Sequence, residues 1–204
     1  MKKNRVSPEG EIIAHPSRGT LMGNRGCLHN DSGEVIRCSA RDAWVTCLTS
    51  FKGRRRPLMQ PGHYTELFFL DEATALAAGH RPCAECRRAR YVEFLVAWQH
   101  ACKLSKRPTA REIDAQLKRE RDLNARPEIR ALNSLPNGAI VKDVGSGRFY
   151  AIFEQLAFLW TFDGYGHGAT FPDLEGPFVV LTPTSSLLAL MNGYTAEIHP
   201  SLTI

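Results

Sequence analysis

The pair of cysteines at Cys83 and Cys86 constrains this chain more than any other feature of its sequence. Two residues separate them, and Pro82 precedes the first one. A turn of this length directs both sulfur atoms and the nearby backbone N–H groups towards one point, a geometry that suits tetrahedral zinc. A redox pair is the alternative interpretation, but redox pairs of this spacing belong to parallel α/β folds. The strands and helices predicted below lack that context, so the spacing favours zinc.

Short β-branched and aromatic runs in the first half predict strands. These runs are residues 35–37, 44–48 and 66–70. Asp71 is suited to cap a short helix over residues 72–78, and Gly79 is suited to end it in the left-handed conformation. Apolar residues at helical spacing predict a longer helix from about residue 84 to 104. The stretch through about Gly26 is rich in Gly, Ser, Pro and charge, so we expect it to be mostly irregular.

The segment from Phe69 to Arg88 resembles the end of the metal-binding domain of the Ada DNA-repair family. In both, a strand leads into a helix that ends in Ala-Ala-Gly, and Arg-Pro and the two cysteines follow at matching spacing. The shared run covers about a tenth of the chain. The resemblance implies a small zinc-centred α+β fold in which Cys83 and Cys86 match the second pair of the family's four cysteine ligands. It also implies DNA as a partner.

The other two zinc ligands must lie elsewhere, because the family's first cysteine pair, with three residues between its members, has no counterpart here. We expect Cys47, in the strand-like run 44–48, to be the third ligand, and Cys27, which follows Gly26, to be the fourth. The alternatives for the fourth ligand are Cys38, His29 and His80. A zinc ion with only three protein ligands would have an open position of the catalytic type.

Positive charge is concentrated in two clusters of the sequence. The formal net charge is +5, from 26 Lys and Arg residues against 21 Asp and Glu residues. Arginine pairs bidentately with phosphates, and a neighbouring aromatic such as Phe51 can stack on a base. Solvated surface charge is the alternative interpretation. The residues that we expect to bind nucleic acid are Lys52, Arg54, Arg55, Arg56, Arg81, Arg87 and Arg88.

The second half of the chain is expected to contain a charged helical linker and a small β-rich region. Thr109 and Glu112 form a capping-box pattern at the start of a charged helix. Pro127 is suited to open another short helix. From residue 135 onward, turn signals alternate with strand-like runs. This pattern predicts a small antiparallel sheet or barrel, followed by a terminal helix.

Together these patterns predict an α+β protein with three parts: an Ada-like zinc-binding domain at 20–105, a helical linker at 106–134 and a β-rich region at 135–204. The 43% hydrophobic content is sufficient for a buried core. No stretch approaches the roughly 20 apolar residues of a membrane-spanning helix. The N-terminus has no apolar segment typical of a signal peptide, so we expect a cytoplasmic protein with reduced cysteines.

Three functions are compatible with these patterns. The leading hypothesis is a zinc-stabilised protein that binds nucleic acid, in DNA repair or its regulation, rather than an enzyme. The second is a zinc- or thiolate-dependent enzyme acting on nucleic acid, either as a methyl acceptor through Cys47 or as a hydrolase that uses His63 or His80. The third is a protein-interaction module formed by the C-terminal β region. Its candidate residues are Trp160, Tyr165 and Phe171.

Overall fold

The computed structural model describes residues 1–53, 57–122, 126–174 and 176–203. Within these ranges, four α-helices and two six-stranded sheets form, so the fold is of the α+β class. The strands are β1 (Lys3–Val6), β2 (Ile12–Ala14), β3 (Leu21–Asn24), β4 (Val45–Leu48), β5 (Leu67–Phe69), β6 (Arg81–Pro82), β7 (Glu128–Ile129), β8 (Ile140–Asp143), β9 (Phe149–Phe153), β10 (Leu156–Thr161), β11 (Gly164–Thr170) and β12 (Phe178–Val180). The helices are α1 (Glu72–Ala77), α2 (Arg88–Ala101), α3 (Ala110–Glu120) and α4 (Thr184–Met191).

The first sheet is mixed and has the strand order β2-β1-β5-β3-β4-β6. Its parallel pairs are β1 with β5 and β4 with β6. Most of the stretch through Gly26 is irregular, as expected, but it also contains the strands β1, β2 and β3, which the sequence did not predict. These strands bury only a few apolar side chains, such as Val6 and Leu21, and β1 and β3 both pair with the distant β5. The strand predicted at residues 35–37 is wrong, since only an isolated bridge between His29 and Val35 forms there.

The second sheet is antiparallel throughout and has the strand order β11-β10-β9-β8-β12-β7. The antiparallel sheet predicted from residue 135 onward is therefore confirmed. The short helix predicted at Pro127 is wrong, because the chain there forms β7 instead. Ile129 lies opposite Phe178 of β12. Pairing with a strand about 50 residues away outweighs the local helix signal.

Local capping signals predict the starts of two helices correctly. The backbone N–H of Thr74 donates to the side chain of Asp71 at 2.9 Å, which caps α1. The capping box between Thr109 and Glu112 opens α3. Gly79 follows α1 with φ of 77°, the left-handed conformation expected of it. None of the helices in the described ranges combines the length and apolar character that a membrane crossing requires.

One hydrophobic core joins side chains from both halves of the chain. It contains Leu76 of α1, Phe94 of α2, Ile113 of α3, Phe158 of β10 and Leu190 of α4. Helix α4 packs against both α2 and α3. The division into parts at 20–105, 106–134 and 135–204 stays a prediction, but these parts bury apolar surface against one another.

A buried carboxylate at the start of α1 ties the two halves together electrostatically. The Glu72 side chain is fully buried, forms an ion pair with Arg87 at 2.7 Å and accepts a hydrogen bond from Arg90 at 2.8 Å. It also accepts from the hydroxyl of Tyr194 at 2.5 Å. Burial by itself would raise the pKa of Glu72, but the attraction of Arg87 together with the hydrogen bonds from Tyr194 and from the N–H of Glu197 outweighs burial, so the pKa lies below its usual value. The ionised carboxylate is therefore a structural part of the core.

Replacing Glu72 with Gln is expected to destabilise the fold by about 3 kcal/mol, because two arginines lose a buried counter-charge. Urea unfolding followed by circular dichroism measures the change. Glu93→Gln is the matched control, since Glu93 pairs with the same Arg90 but is largely exposed. The control is expected to cost less than about 1 kcal/mol. Equal destabilisation by the two variants would contradict this interpretation of the network.

Candidate metal centre

Parallel pairing between β4 and β6 brings cysteines that are distant in sequence together. Val45 lies opposite Arg81, and Thr46 lies opposite Pro82. The N–H of Cys83 donates to the carbonyl of Thr46 at 2.9 Å, which continues the pairing beyond β6. Since Cys47 follows Thr46, this register sets Cys83 beside Cys47.

The chain then turns between Cys83 and Arg87 before α2 begins. The N–H of Arg87 donates to the carbonyl of Cys83 at 3.2 Å, which closes the turn. The N–H of Glu85 points to the sulfur of Cys83 at 3.4 Å. Backbone donors of this kind favour the thiolate over the thiol, and they hold the sulfur in a fixed direction. The same turn returns Cys86 to the side of Cys83.

The sulfur atoms of Cys47, Cys83 and Cys86 all lie within 4.8 Å of one another. A tetrahedral zinc ion with Zn–S bonds near 2.3 Å separates its sulfur ligands by about 3.8 Å. The cluster therefore fits a metal ion with only small side-chain movements. No second group of at least three Cys, His, Asp or Glu ligand atoms meets the same distance criterion within the ranges that the structure describes.

The electrostatics of the three thiols show why a cation suits this position. A hydrogen bond from Cys47, supported by backbone N–H groups, lowers the pKa of Cys83 to about 5. The same hydrogen bond and burial raise the pKa of Cys47, and burial raises the pKa of Cys86. In the protein alone, the negative charge is thus concentrated on one sulfur. Three adjacent thiolates repel one another, and a divalent cation removes that repulsion.

The other predicted metal ligands lie outside this cluster. Cys27 is in the loop after β3, and its sulfur is 3.5 Å from the carbonyl oxygen of His29. Cys38 is exposed, whereas the imidazoles of His29 and His80 are buried. The Nε of Arg25 donates to Nε2 of His80 at 3.2 Å, so this imidazole already has a partner. The structure brings three of the four predicted ligands together, and the identity of a fourth stays a prediction.

A cavity of about 960 Å³ opens beside the cysteine cluster. All three cysteine side chains line it, so a molecule in the cavity can reach the sulfurs. The polar and aromatic residues in its walls include Arg41, Phe51, Tyr64, Glu66 and Phe68. No local sequence pattern connects Arg41 or Phe68 with the cysteines, because long-range strand pairing is what brings them together.

Two of the predicted nucleic-acid-binding arginines form internal ion pairs. Arg81 is buried and makes a bidentate pair with Asp114, with both N···O distances at 2.7 Å. Arg87 is buried between Glu72 and Glu197, with both N···O distances at 2.7 Å. Since carboxylates already neutralise both guanidinium groups, neither is available to a phosphate backbone in this arrangement.

The remaining predicted cations are distributed around the cavity or lie outside the described residues. Lys52 is exposed, and it follows Phe51 in the cavity wall. Arg88 is exposed at the first turn of α2, two residues after Cys86. The predicted residues Arg54, Arg55 and Arg56 lie outside the described residues. Of the seven predicted cations, Lys52 and Arg88 are therefore the two that are exposed among the described residues.

Comparisons with protein-family models, with curated proteins and with solved structures give no match for this chain. The resemblance to the Ada metal-binding domain accordingly stays a prediction. The case for a metal centre rests on the geometry of Cys47, Cys83 and Cys86.

Single Cys→Ser substitutions at Cys47, Cys83 and Cys86 are each expected to lower the metal content of the purified protein from one ion per chain towards zero. The reason is that each variant leaves only two sulfurs in the cluster. Inductively coupled plasma mass spectrometry measures the metal content. Cys27→Ser and Cys102→Ser are the controls and are expected to retain the metal, since neither sulfur belongs to the cluster. Metal loss in Cys27→Ser would restore Cys27 as the fourth ligand.

Proposed function

We propose that this protein holds one zinc ion through Cys47, Cys83 and Cys86 and binds single-stranded nucleic acid in the adjacent cavity. The observation that carries the proposal is the meeting of three sulfurs in the wall of a cavity that also holds aromatic and cationic side chains. The zinc would stabilise the edge of the first sheet and shape one wall of the binding site. The cations around the cavity would engage phosphates.

The choice of zinc follows from the donor set. Thiolate ligands select zinc, copper(I) or iron–sulfur clusters among the common metals. Zinc needs no redox partner, and it accepts three protein ligands with a fourth position left to another donor. An Ada-like arrangement is part of this proposal, because β5, α1 and β6 lead into the Cys83–Cys86 turn in the order of that family.

Nucleic acid is the partner that best fits the walls of the cavity. Phe51, Tyr64 and Phe68 supply aromatic rings, and base–aromatic stacking contributes about 1–3 kcal/mol per base. Arg41 is an exposed cation in the same walls, and Lys52 lies beside them. A base must be unpaired to enter a cavity of this kind, so a single strand is favoured over a duplex.

Lys52→Gln and Arg88→Gln are each expected to weaken binding of a single-stranded oligonucleotide and to reduce the salt dependence of the affinity. The slope of log K against log salt should become shallower by about 0.7 for each phosphate group that the variant no longer neutralises. Fluorescence anisotropy over a series of salt concentrations measures both quantities. Lys106→Gln is the matched control, because Lys106 is exposed and, unlike Lys52 and Arg88, has no cavity-lining residue within two positions of it in the chain.

Two results would contradict the nucleic-acid proposal. One is an affinity that does not change with salt, and the other is an equal effect of the control variant. A duplex of the same sequence should bind more weakly than the single strand. Metal content measured on the same samples separates failure of the nucleic-acid proposal from failure of the zinc site.

A second function, methyl acceptance, is favoured by the access of the cysteine sulfurs to the cavity. The thiolate sulfur of Cys47 would attack the methyl carbon of a methylated phosphotriester. The S–C bond forms, the C–O bond breaks, and the phosphodiester leaves with the electron pair as an anion. The bound zinc would supply charge stabilisation for the thiolate.

Incubation with methylated single-stranded DNA, followed by peptide mass spectrometry, tests methyl transfer. One added methyl group on Cys47 is the expected result, and Cys102 serves as the internal control within the same chain. An unmodified Cys47 in protein that retains its metal would exclude this function and leave the binding proposal intact.

A further inference from the structure

A second cavity, of about 250 Å³, lies near the junction of α1, the loop before β4 and the C-terminal end of α3. Three arginines line it: Arg25, Arg121 and Arg126. These residues are not part of the cysteine cluster, and they do not line the larger cavity. The smaller cavity is therefore a separate candidate site, and its charge is positive.

Arg25 is almost completely buried, with 1% of its surface exposed. Its Nη1 donates to the carbonyl of Gly10 at 2.9 Å, and its Nε donates to His80 at 3.2 Å. Its Nη2 is buried and has no hydrogen-bond partner among the residues that the structure describes. The guanidinium carbon lies 3.8 Å from the centre of the Trp44 ring, which also lines the cavity. Stacking fixes the guanidinium but leaves that donor unsatisfied.

Arg121 also stacks on Trp44 and Arg126 does not, but both are held by backbone carbonyls, and Nη1 of Arg121 donates to the carbonyl of Asp42 at 2.9 Å. The Nε of Arg121 donates to the carbonyl of Gly79 at 3.1 Å, and its guanidinium carbon lies 4.2 Å from the centre of the Trp44 ring. The Nη1 of Arg126 donates to the carbonyl of Ala77 at 3.2 Å. Each side chain keeps one buried nitrogen, Nη2 of Arg121 and Nε of Arg126, for which the described part of the chain offers no acceptor.

No carboxylate in the described ranges forms an ion pair with any of these three arginines. Two acidic residues line the cavity, but Glu9 pairs with Lys142 at 2.7 Å and Glu11 is exposed. Burial, together with repulsion from Arg121, lowers the pKa of Arg25 to about 9. Asp114 and Asp42 attract Arg121 from beyond ion-pair distance, and Glu120 and Glu9 attract Arg126 in the same way. No carboxylate among the described residues acts on Arg25 in this way, and burying a protonated guanidinium without a counter-charge is unfavourable.

We infer that this cavity binds a phosphate group through Arg25, Arg121 and Arg126. The three unsatisfied donors come from three separate segments and are closed off from solvent, so side-chain rotation must bring them to a bound ion. A tetrahedral oxyanion with several acceptor oxygens suits three such donors better than a planar carboxylate with two. Arginine is the residue that pairs with phosphate in this way. The phosphate could be the free ion or the end of a small phosphomonoester, since both present the same group.

Phosphate binding at this site would also stabilise β4 and β6, the strands that lead to the cysteines. Trp44 directly precedes β4, which carries Cys47, and its carbonyl accepts from the N–H of Arg81 in β6 at 3.2 Å. An anion that holds the arginines against Trp44 would therefore stabilise the strand pair that presents the cysteines. The site itself needs no metal, so it can be tested independently of the zinc proposal.

Isothermal titration calorimetry of the full chain with inorganic phosphate, at constant ionic strength set with sodium chloride, tests the site. We expect saturable binding of one phosphate per chain. Arg126→Gln should weaken the affinity about tenfold, the usual effect of losing one charge-assisted hydrogen bond. Arg111→Gln is the matched control, because it removes the same charge from an exposed position on α3, and it should change the affinity less than about twofold.

Further titrations distinguish the source of the phosphate and the competing interpretations. Glycerol phosphate that binds as tightly as inorganic phosphate supports a phosphomonoester, whereas binding of inorganic phosphate alone supports the free ion. Acetate that binds more tightly than phosphate would overturn the assignment. Absence of saturable binding, or equal weakening in Arg126→Gln and Arg111→Gln, would also overturn it. Circular dichroism of both variants establishes that they remain folded.

Discussion

The pairing of β4 with β6 holds this structure's candidate site together. Strand β6 is only two residues long and lies at the edge of the first sheet, so few hydrogen bonds fix it. The bond from the N–H of Cys83 to the carbonyl of Thr46 nevertheless sets the register on which the cysteine cluster depends. A metal ion that joins Cys47 to Cys83 and Cys86 would cross-link the two strands where backbone pairing is weakest. Metal binding and the order of this sheet edge should therefore be coupled.

Buried ion pairs also hold β6 and the turn that follows it against the neighbouring helices. Arg81, in β6, reaches across to Asp114 in α3, and Arg87, just before α2, reaches Glu72 in α1. Removing one partner of such a pair is costly, because the remaining charge stays buried. These arginines therefore hold the metal-binding turn against two helices, α1 and α3. Exposed cations elsewhere around the cavity are left for an external ligand.

Features governed by neighbours in sequence could be predicted from the sequence. Asp71 caps α1, Thr109 and Glu112 open α3, and the Cys83–Cys86 turn presents its two sulfurs to one point. Cys47, expected as a ligand in the strand-like run 44–48, also lies beside them. Most of these features depend on hydrogen bonds or spacing within a few residues.

Features that depend on distant partners could not be predicted in this way. Strand β7 forms because β12 is available to pair with it, and nothing near Pro127 signals that strand. The burial of Arg81 is decided by Asp114, whose position relative to β6 is set only by the tertiary fold. The arginine cavity around Trp44 combines residues from segments far apart in the chain, and no periodicity connects them.

X-ray absorption spectroscopy at the zinc edge of the purified, reduced protein tests the metal centre most directly. The arrangement of Cys47, Cys83 and Cys86 predicts three sulfur neighbours near 2.3 Å and one lighter oxygen or nitrogen neighbour at about 2.0–2.2 Å. A shell of oxygen and nitrogen alone, or a folded protein that contains no metal, would contradict the proposed centre. Four sulfur neighbours would contradict the open fourth position.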